Sequence, residues 1–223
     1  MTKHLTLDDI KRVCSVDGDS EVCLFTQELS QGLDTLKNYT KSVTMYGSAR
    51  FPEDHPYYKK ARELAYIVTH DLGHAVITGG GPGIMEGANR GAKEGGGPSV
   101  GFTIQLPYEQ KTNQYVTDEV PFSFFSTRKV VLAHAAEVFI FFPGGFGTLD
   151  ELFEILTLIQ TKKIPLVPVF LIGLDFWNPL IEMFKKQLFE QYATISPEDL
   201  EIFTVTDDIN LVIEAVKVAP LRT

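Results

Sequence analysis

The sequence predicts an α/β fold with a doubly wound parallel sheet: a Rossmann-like three-layer sandwich with an N-terminal helical extension. From residue 42 onward, short β-rich apolar runs alternate with longer amphipathic segments, which is typical of βαβ units around a parallel sheet. Three of the apolar runs are followed by glycine-bearing turns, where each strand would give way to a helix. In such folds, ligands bind outside the carboxyl ends of the strands.

The first part of the chain has a helical pattern over about residues 5–37. Its apolar residues recur at steps of three and four, which places them on one helix face: Val22, Phe25, Leu29, Leu33 and Leu36. We therefore predict an N-terminal helical extension over residues 1–41 and one nucleotide-binding domain over residues 42–223.

Within that domain the apolar runs predict strands at residues 43–46, 74–78, 100–104, 138–142, 166–170 and 203–205. The intervening amphipathic segments predict helices at residues 57–71, 84–94, 126–136, 149–162, 177–191 and 208–217. Regular alternation of this kind favours the three-layer sandwich over other α/β arrangements.

Charge and composition limit the class of partner. The net charge of −9 over 223 residues disfavours binding to a nucleic-acid backbone. The N-terminus lacks the apolar region of a signal peptide, and no apolar run approaches the length of about 20 residues that spans a bilayer. We expect a cytoplasmic protein with no membrane partner. The two cysteines, Cys14 and Cys23, are expected to be reduced core thiols.

The glycine turns lie at residues 47–49, 79–83 and 143–148. One interpretation is that these glycines only allow tight turns; the other is that backbone N–H groups at three strand ends bind a phosphate. A P-loop is disfavoured because no Gly-Lys-Ser/Thr follows the glycines. The dinucleotide fingerprint belongs after the first strand, where this chain has only Gly47-Ser48-Ala49. A mononucleotide fits better than NAD.

The third turn ends at Thr148, which is expected to open a helix with Asp150 and Glu151 in its first turn. Backbone N–H groups and the Thr148 hydroxyl could bind a phosphate there. The two acids have two interpretations. They either compensate the helix dipole, or one carboxylate contacts the ribose or an attacking water.

Arg128 and Lys129 lie at the predicted start of another helix. A basic pair there opposes the helix dipole, so it does not stabilise the helix. It is either a pair of solvated surface cations or a site that an anionic group compensates.

Together, the GGGPGIME segment at residues 79–86, Arg128-Lys129 and the PGGFGTLDE segment at residues 143–151 resemble the Lonely Guy family. The members of that family are nucleoside 5′-monophosphate phosphoribohydrolases that were long labelled lysine decarboxylases. The resemblance extends over about residues 43–217. The segment from residue 106 to residue 110, with Asn113 and Tyr115, further resembles the longer-chain branch.

The resemblance implies hydrolysis of the N-glycosidic bond of a purine nucleoside 5′-monophosphate, AMP or a cytokinin riboside 5′-monophosphate, to the free base and ribose 5-phosphate. It implies a catalytic pair, Arg128 and Glu151. It also implies a homodimer or higher homo-oligomer and no cofactor. We expect no metal, because no HExxH motif and no carboxylate cluster in the sequence suggests a metal site. The expected substrate-binding residues lie on the turns and helix starts: Gly47, Ser48, Gly80, Gly81, Glu86, Lys129, Gly144, Gly145, Gly147 and Thr148.

Many family members read Met-His-x-Arg-Lys where this chain has residues 125–129 as Phe-Ser-Thr-Arg-Lys, so base specificity is left open. The alternative function is a non-catalytic nucleotide- or molybdenum-cofactor-binding carrier, because similar folds with the same turns include such carriers. Lysine decarboxylation is disfavoured because no segment resembles a lysine-bearing pyridoxal phosphate site.

Overall fold

A seven-stranded, all-parallel sheet forms the centre of the protein in the computed structural model, which describes residues 20–106 and 111–221. Strands β1 to β7 in chain order are Ser42–Tyr46, Ala75–Thr78, Ser99–Ile104, Asp118–Phe122, Val138–Phe141, Val169–Ile172 and Phe203–Thr206. The strand order is β4-β3-β2-β1-β5-β6-β7, and every neighbouring pair is parallel. The predicted doubly wound sheet is confirmed.

Within the described residues, helices α1 to α7 are Glu21–Leu36, Pro56–His70, Ile84–Glu94, Phe125–Ala133, Phe146–Gln160, Leu174–Phe184 and Ile209–Val218. A π-helix continues α6 over Lys185–Gln191, and a 3₁₀ helix covers Pro197–Glu201. The start of α2 has Pro56 at its first position, where the missing N–H removes no helical hydrogen bond.

The helices cover both faces of the sheet, so strand residues are buried on both sides. Helices α2, α3 and α7 pack on the face that carries Val43 and Met45. Helices α1, α4, α5 and α6 contribute to the core of the opposite face, which carries Tyr46 and Phe141. Burial on two faces explains why the strands read as continuous apolar runs rather than as alternating patterns.

The connections reverse direction at β1. From β1 the chain moves through β2 and β3 to the edge strand β4, and then returns to place β5 on the other side of β1. This reversal is a topological switch point, where adjacent connections leave in opposite directions and open a crevice at the carboxyl edge. The turns that follow β2, β1 and β5 are therefore neighbours.

Two strands differ from the sequence prediction. Strand β4 was missed: its sequence, Asp-Glu-Val-Pro-Phe, is polar and contains a proline, which is tolerated because β4 lies at the sheet edge. Strand β6 begins at Val169 rather than near residue 166. Pro168 directly precedes it, and Leu166 is 74% exposed, so the apolar run begins outside the sheet.

Helix α5 also begins earlier than predicted, at Phe146 rather than near residue 149. Asp150 and Glu151 are therefore its fifth and sixth residues, and its first turn carries no acid. The expectation that both acids lie in the first turn was wrong, because the helix already starts within the glycine turn. Simple dipole compensation does not explain them.

The described part of the predicted N-terminal extension is α1, which packs on α4 and contributes Leu36 to the core. The boundary at residue 41 stays a prediction, and residues 1–19 lie outside the described residues. Cys23 is disulfide-bonded, so the expectation of a reduced thiol there was wrong; Cys14 is not among the described residues. In the described ranges, no helix is long and apolar enough to cross a membrane.

Candidate functional site

Hydrogen bonds join the three glycine turns into one unit at the carboxyl edge of the sheet. The Ser48 N–H donates to the Pro143 carbonyl at 3.0 Å, which links the first and third turns. The Ile84 N–H donates to the Ser48 carbonyl at 3.0 Å, which links the second turn to the first. Ser48 is thus the centre of the assembly, as its position after the middle strand β1 requires.

Gly83 is required by the approach of the first and second turns. Its φ of +71° lies in the left-handed region, and a Cβ atom there would collide with the Ser48 carbonyl oxygen and the Ala49 backbone. A side chain would therefore both strain the backbone and separate the turns.

A buried amide network holds the second turn. The Asn113 side-chain nitrogen lies 3.0 Å from the carbonyl oxygens of both Gly80 and Gly81, and its backbone N–H donates to Gly80 at 2.9 Å. The Gly80 N–H in turn donates to the Thr78 hydroxyl at 2.9 Å. These contacts fix the predicted binding residues Gly80 and Gly81. Sequence spacing did not reveal this role of Asn113, because it lies far from the turn along the chain.

The third turn forms the N-terminus of α5. Gly145 is the N-cap, with no side-chain cap, and the Leu149 N–H donates to its carbonyl at 3.1 Å. The preceding N–H groups of Phe146, Gly147 and Thr148 have no partner within the helix. Since the first turn of α5 carries no acid, these N–H groups and the helix dipole favour an anion there.

Two glycines of this turn are not explained by the packing of the chain. A Cβ atom at Gly145 or Gly147 would meet nothing within 4 Å, and neither residue has a positive φ. At Gly144, by contrast, a Cβ atom would collide with the Thr148 side chain. Neither a left-handed backbone nor close packing of the chain therefore requires glycine at Gly145 or Gly147, and the space beside both residues is open.

Arg128 and Glu151 meet beside these turns. Arg128 Nη2 lies 3.3 Å from Glu151 Oε1, and the side chains are 11% and 16% exposed. Arg128 Nη1 also lies close to Gly79, where an added Cβ atom would be 3.2 Å away. The first residue of the second turn thus leaves room for the guanidinium. The predicted pair is brought together, and it lies at the edge that carries the turns.

Burial raises the pKa of Glu151 to about 7, although the charge of Arg128 opposes that shift. Asp150 and Glu154 on the same helix raise the pKa further, and Lys129 lowers it. A carboxyl group with this pKa is present in both protonation states near neutral pH, which suits a group that exchanges a proton during a reaction.

One buried hydrogen-bond donor of the Arg128 guanidinium is unsatisfied among the described residues. That donor is the Nε atom. An unsatisfied buried donor costs about 1–3 kcal/mol, and a charged donor suits an oxygen of a phosphate or a sugar.

Lys129 has acids as partners. Its Nζ atom lies 2.9 Å from Asp150 Oδ1 and 3.5 Å from Glu154 Oε2. The negative charge that compensates Lys129 thus comes from α5. The sequence did not predict the role of Glu154, because its position after the PGGFGTLDE segment is typical of an ordinary acid on a helix surface. Asp150, whose side chain is 59% exposed, binds Lys129.

Glu86 lies in the first turn of α3, and its Oε1 accepts a hydrogen bond at 3.2 Å from the hydroxyl of the buried Tyr58. Burial is the main cause that raises the pKa of the Tyr58 hydroxyl to about 12, and the nearby charge of Glu86 raises it further. Across the described ranges, no group of three or more His, Cys, Asp and Glu side chains could hold a metal ion.

Residues 85–216, more than half of the chain, match the family described as "Possible lysine decarboxylase". The chain belongs to this family. That description is the older label of the family that the glycine turns and Arg128-Lys129 resemble, so the family prediction is confirmed.

Curated relatives carry a more specific name. A cytokinin riboside 5′-monophosphate phosphoribohydrolase of Arabidopsis thaliana is 28% identical over 140 residues, which covers 62% of this chain and 65% of the relative. A second from the same plant is 27% identical over 174 residues, covering 77% and 75%. The chain thus spans just under two thirds of the first relative.

Solved structures share the fold. The molybdenum cofactor carrier protein of Chlamydomonas reinhardtii superposes with a TM-score of 0.58 and 25% identity over 79% of this chain and 95% of that chain. The molybdenum cofactor binding protein of Rippkaea orientalis has a TM-score of 0.56 and 22% identity, covering 79% and 93%. The second likeness concerns the fold alone.

The decarboxylase label implies pyridoxal phosphate, which binds a neutral lysine amine as a Schiff base. The lysine of the described site is Lys129. Burial lowers its pKa, but the hydrogen bond and charge of Asp150 and Glu154 outweigh burial and leave the pKa raised. An amine held charged between two carboxylates does not fit Schiff-base formation.

We predict that Gly147→Ala separates stability from ligand binding. Alanine should raise the free energy of unfolding by roughly 0.4–1 kcal/mol, because it restricts the unfolded chain without a clash. It should weaken AMP binding at least about 10-fold, because the methyl group occupies the space beside the N–H groups. Denaturant unfolding and calorimetric titration, the latter in a Glu151→Gln background that prevents turnover, measure the two effects.

Gly144→Ala is the matched control, since its methyl group collides with Thr148. It should lower the free energy of unfolding by about 1–3 kcal/mol. Unchanged AMP affinity in Gly147→Ala would contradict a ligand role for this turn.

We also predict a pH-dependent stability contribution from Glu151. Its pKa is higher in the folded protein than its ordinary value of 4.5, so the contribution is full below about pH 4.5 and is lost as the pH rises through about 7. The loss amounts to about 3 kcal/mol. Urea unfolding from pH 4.5 to 8 should show this decline in the wild type and not in Glu151→Gln. Parallel pH curves for the two proteins would refute the raised pKa.

Proposed function

We propose that this protein hydrolyses the N-glycosidic bond of purine nucleoside 5′-monophosphates, AMP or a cytokinin riboside 5′-monophosphate, to give the free base and ribose 5-phosphate. The observation that carries the proposal is the buried Arg128–Glu151 pair next to an uncapped helix N-terminus. The names of the plant relatives support the same reaction.

In the proposed binding mode, the 5′-phosphate lies against the N-terminus of α5. The N–H groups of Gly145, Gly147 and Thr148 donate to its oxygens, and the helix dipole favours its charge. Gly47, Ser48, Gly80, Gly81 and Gly144 shape the surrounding turns. The ribose then lies toward the guanidinium of Arg128, a charged donor that suits a ligand oxygen.

The proposed chemistry needs the ionised form of Glu151. As the bond between C1′ and the base nitrogen lengthens, its electron pair moves to the base and positive charge develops on the sugar. A nearby carboxylate stabilises that charge, as in glycoside hydrolysis. The carboxylate also accepts a proton from water as the water oxygen bonds to C1′. The departing base takes up a proton from solvent, and Glu151 later returns its proton to solvent, so the products are the neutral base and ribose 5-phosphate. Arg128 keeps the carboxylate in place and holds the ligand.

Lys129 and Glu86 have secondary roles in this proposal. Lys129 adds positive charge near the phosphate while Asp150 and Glu154 hold its position. Glu86, held by Tyr58, faces the second turn from α3 and contacts the nucleoside. Neither residue is required to move a proton.

We further propose a homodimer or higher homo-oligomer. Phe125 and Phe146 are 55% and 93% exposed and flank the proposed site. Large apolar side chains in such positions are favoured at contacts between proteins, which supports a second copy of the chain near the site.

We predict that incubation with AMP releases adenine and ribose 5-phosphate, and that Glu151→Gln lowers the rate by about 10²–10⁴-fold because the proton acceptor is lost. Chromatography of the base measures the rate, and a panel of AMP, GMP, CMP, UMP and N6-prenylated AMP gives the preferred base. Asp150→Asn is the control, since it removes an exposed neighbouring acid; it should stay within several-fold of the wild type. Adenine release by Glu151→Gln at the wild-type rate would refute the assignment of Glu151.

The alternative function is a non-catalytic nucleotide- or molybdenum-cofactor-binding carrier. It is favoured by the likeness to the Chlamydomonas reinhardtii carrier. The carrier needs the phosphate-binding turns but not an acid with a pKa near 7. Tight binding of a phosphorylated ligand, with no base released from any ribotide of the panel, would favour the carrier over the hydrolase.

A further inference from the structure

Helix α1 packs closely on α4, the helix that carries Arg128. A Cβ atom at Gly32 would lie 2.6 Å from Val131 Cγ2 and 2.9 Å from the Phe122 ring, so only glycine permits this approach. The Phe25 and Phe124 rings are 5.7 Å apart between centroids. Two contacts, one along the middle of α1 and one nearer its start, thus fix α1 against α4.

The start of α4 has no cap of its own. Its N-cap residue is Phe124, which provides no side-chain hydrogen bond. Helix N-termini have N–H groups that need acceptors from outside the helix, and a serine, threonine, aspartate or asparagine usually supplies one. In this protein an acceptor for the N–H of the N-cap residue, Phe124, comes from α1.

Glu28 of α1 supplies that acceptor with both carboxylate oxygens. Oε1 accepts from the Ser123 N–H at 2.6 Å, and Oε2 accepts from the Phe124 N–H at 3.3 Å and the Thr127 hydroxyl at 2.8 Å. Burial raises the pKa of Glu28, but these hydrogen bonds together outweigh burial and leave the pKa below its ordinary value. The carboxylate is therefore charged at neutral pH.

The turn that Glu28 binds is the one from which Arg128 projects. The Arg128 N–H makes its helical bond to the Phe124 carbonyl at 3.3 Å, and Phe124 donates to Glu28 through its own N–H. Thr127, fully buried, directly precedes Arg128. The direction in which the guanidinium leaves α4 thus depends on the turn that the Glu28 carboxylate closes.

We propose that Glu28 is a positioning residue that holds Arg128 against Glu151. The expected effect of Glu28 on catalysis rests on the proposed function. The expected effect of Glu28 on the pKa of Glu151 does not. This positioning role gives the N-terminal helix a part in the site, although Glu28 itself touches neither Glu151 nor the turns that bind the phosphate in the proposed mode.

The titration of Glu151 distinguishes positioning from a simple charge effect. Removing the negative charge of Glu28 would, by itself, lower the pKa of Glu151, because fewer negative charges then oppose ionisation. Loosening Arg128 would raise that pKa, because its opposing positive charge moves away. The other charged groups that act on Glu151, namely Lys129, Asp150 and Glu154, are unchanged. Positioning and a simple charge effect therefore predict opposite changes in the pKa of Glu151 when Glu28 is removed.

The experiment measures the Glu151 titration midpoint by NMR in full-length protein with ¹³C-labelled glutamate carboxyls, assigned with Glu151→Gln. We expect Glu28→Ala to raise the midpoint by about half a pH unit or more and to lower kcat/KM for AMP about 10-fold. Glu28→Gln, which keeps one acceptor oxygen, should show a smaller rise. Asp34→Ala removes an acid of the same helix whose Oδ1 atom lies 2.6 Å from Lys37 Nζ, and should show no rise.

A midpoint that is unchanged or lower in folded Glu28→Ala would overturn the proposal. If Glu28→Ala does not fold, the same criterion applies to Glu28→Gln. Failure of the wild type to cleave any ribotide would overturn the proposed function alone, since the shift in the Glu151 midpoint is measured without substrate.

Discussion

The burial of Glu151 opposite Arg128 is the constraint on which the candidate site depends. Removing two charges from water costs several kcal/mol for each ion, and their attraction offsets this only with good geometry. The geometry has three sources: α5 carries Glu151, α4 carries Arg128, and Gly79 leaves room for the guanidinium. Burial still prevails over the attraction, which is why the pKa of Glu151 rises to about 7.

The sheet topology brings this pair to the glycine turns. Because β2 and β5 flank β1 in a parallel sheet, the turns after these strands meet at one edge, and backbone hydrogen bonds through Ser48 join them. An anion site at the start of α5 then lies on the helix that carries Glu151 one turn later. In the proposed function, this helix therefore holds the phosphate and the proton acceptor in a fixed relation.

The sequence predicted the parts of this arrangement that depend on local pattern. Continuous apolar runs predicted six of the seven strands, and the glycine turns with Arg128-Lys129 predicted the residues that meet at the carboxyl edge. Strand β4 escaped prediction because Pro121 and two acids are tolerated only at an edge, which is a property of the whole sheet. The start of α5 was placed too late because glycine-rich segments read as turns even where they are helical.

Contacts between distant segments could not be predicted. Asn113 holds the second turn and Glu28 binds the start of α4, yet neither contact could be read from sequence spacing, since each joins segments that are far apart along the chain. Likewise, the acids that hold Lys129 could be assigned only after α4 and α5 were seen side by side. Such side chains look like ordinary surface residues until the fold places them.

The central claim is that Glu151 acts as a carboxylate with a pKa near 7, and the pH dependence of kcat/KM for AMP cleavage tests it most directly. The account predicts a rate that rises with pH through one ionisation near 7, about one unit above the second ionisation of a phosphate ester near 6. A rate that is independent of pH from 5 to 9, or one that falls as the pH rises through 7, would contradict it.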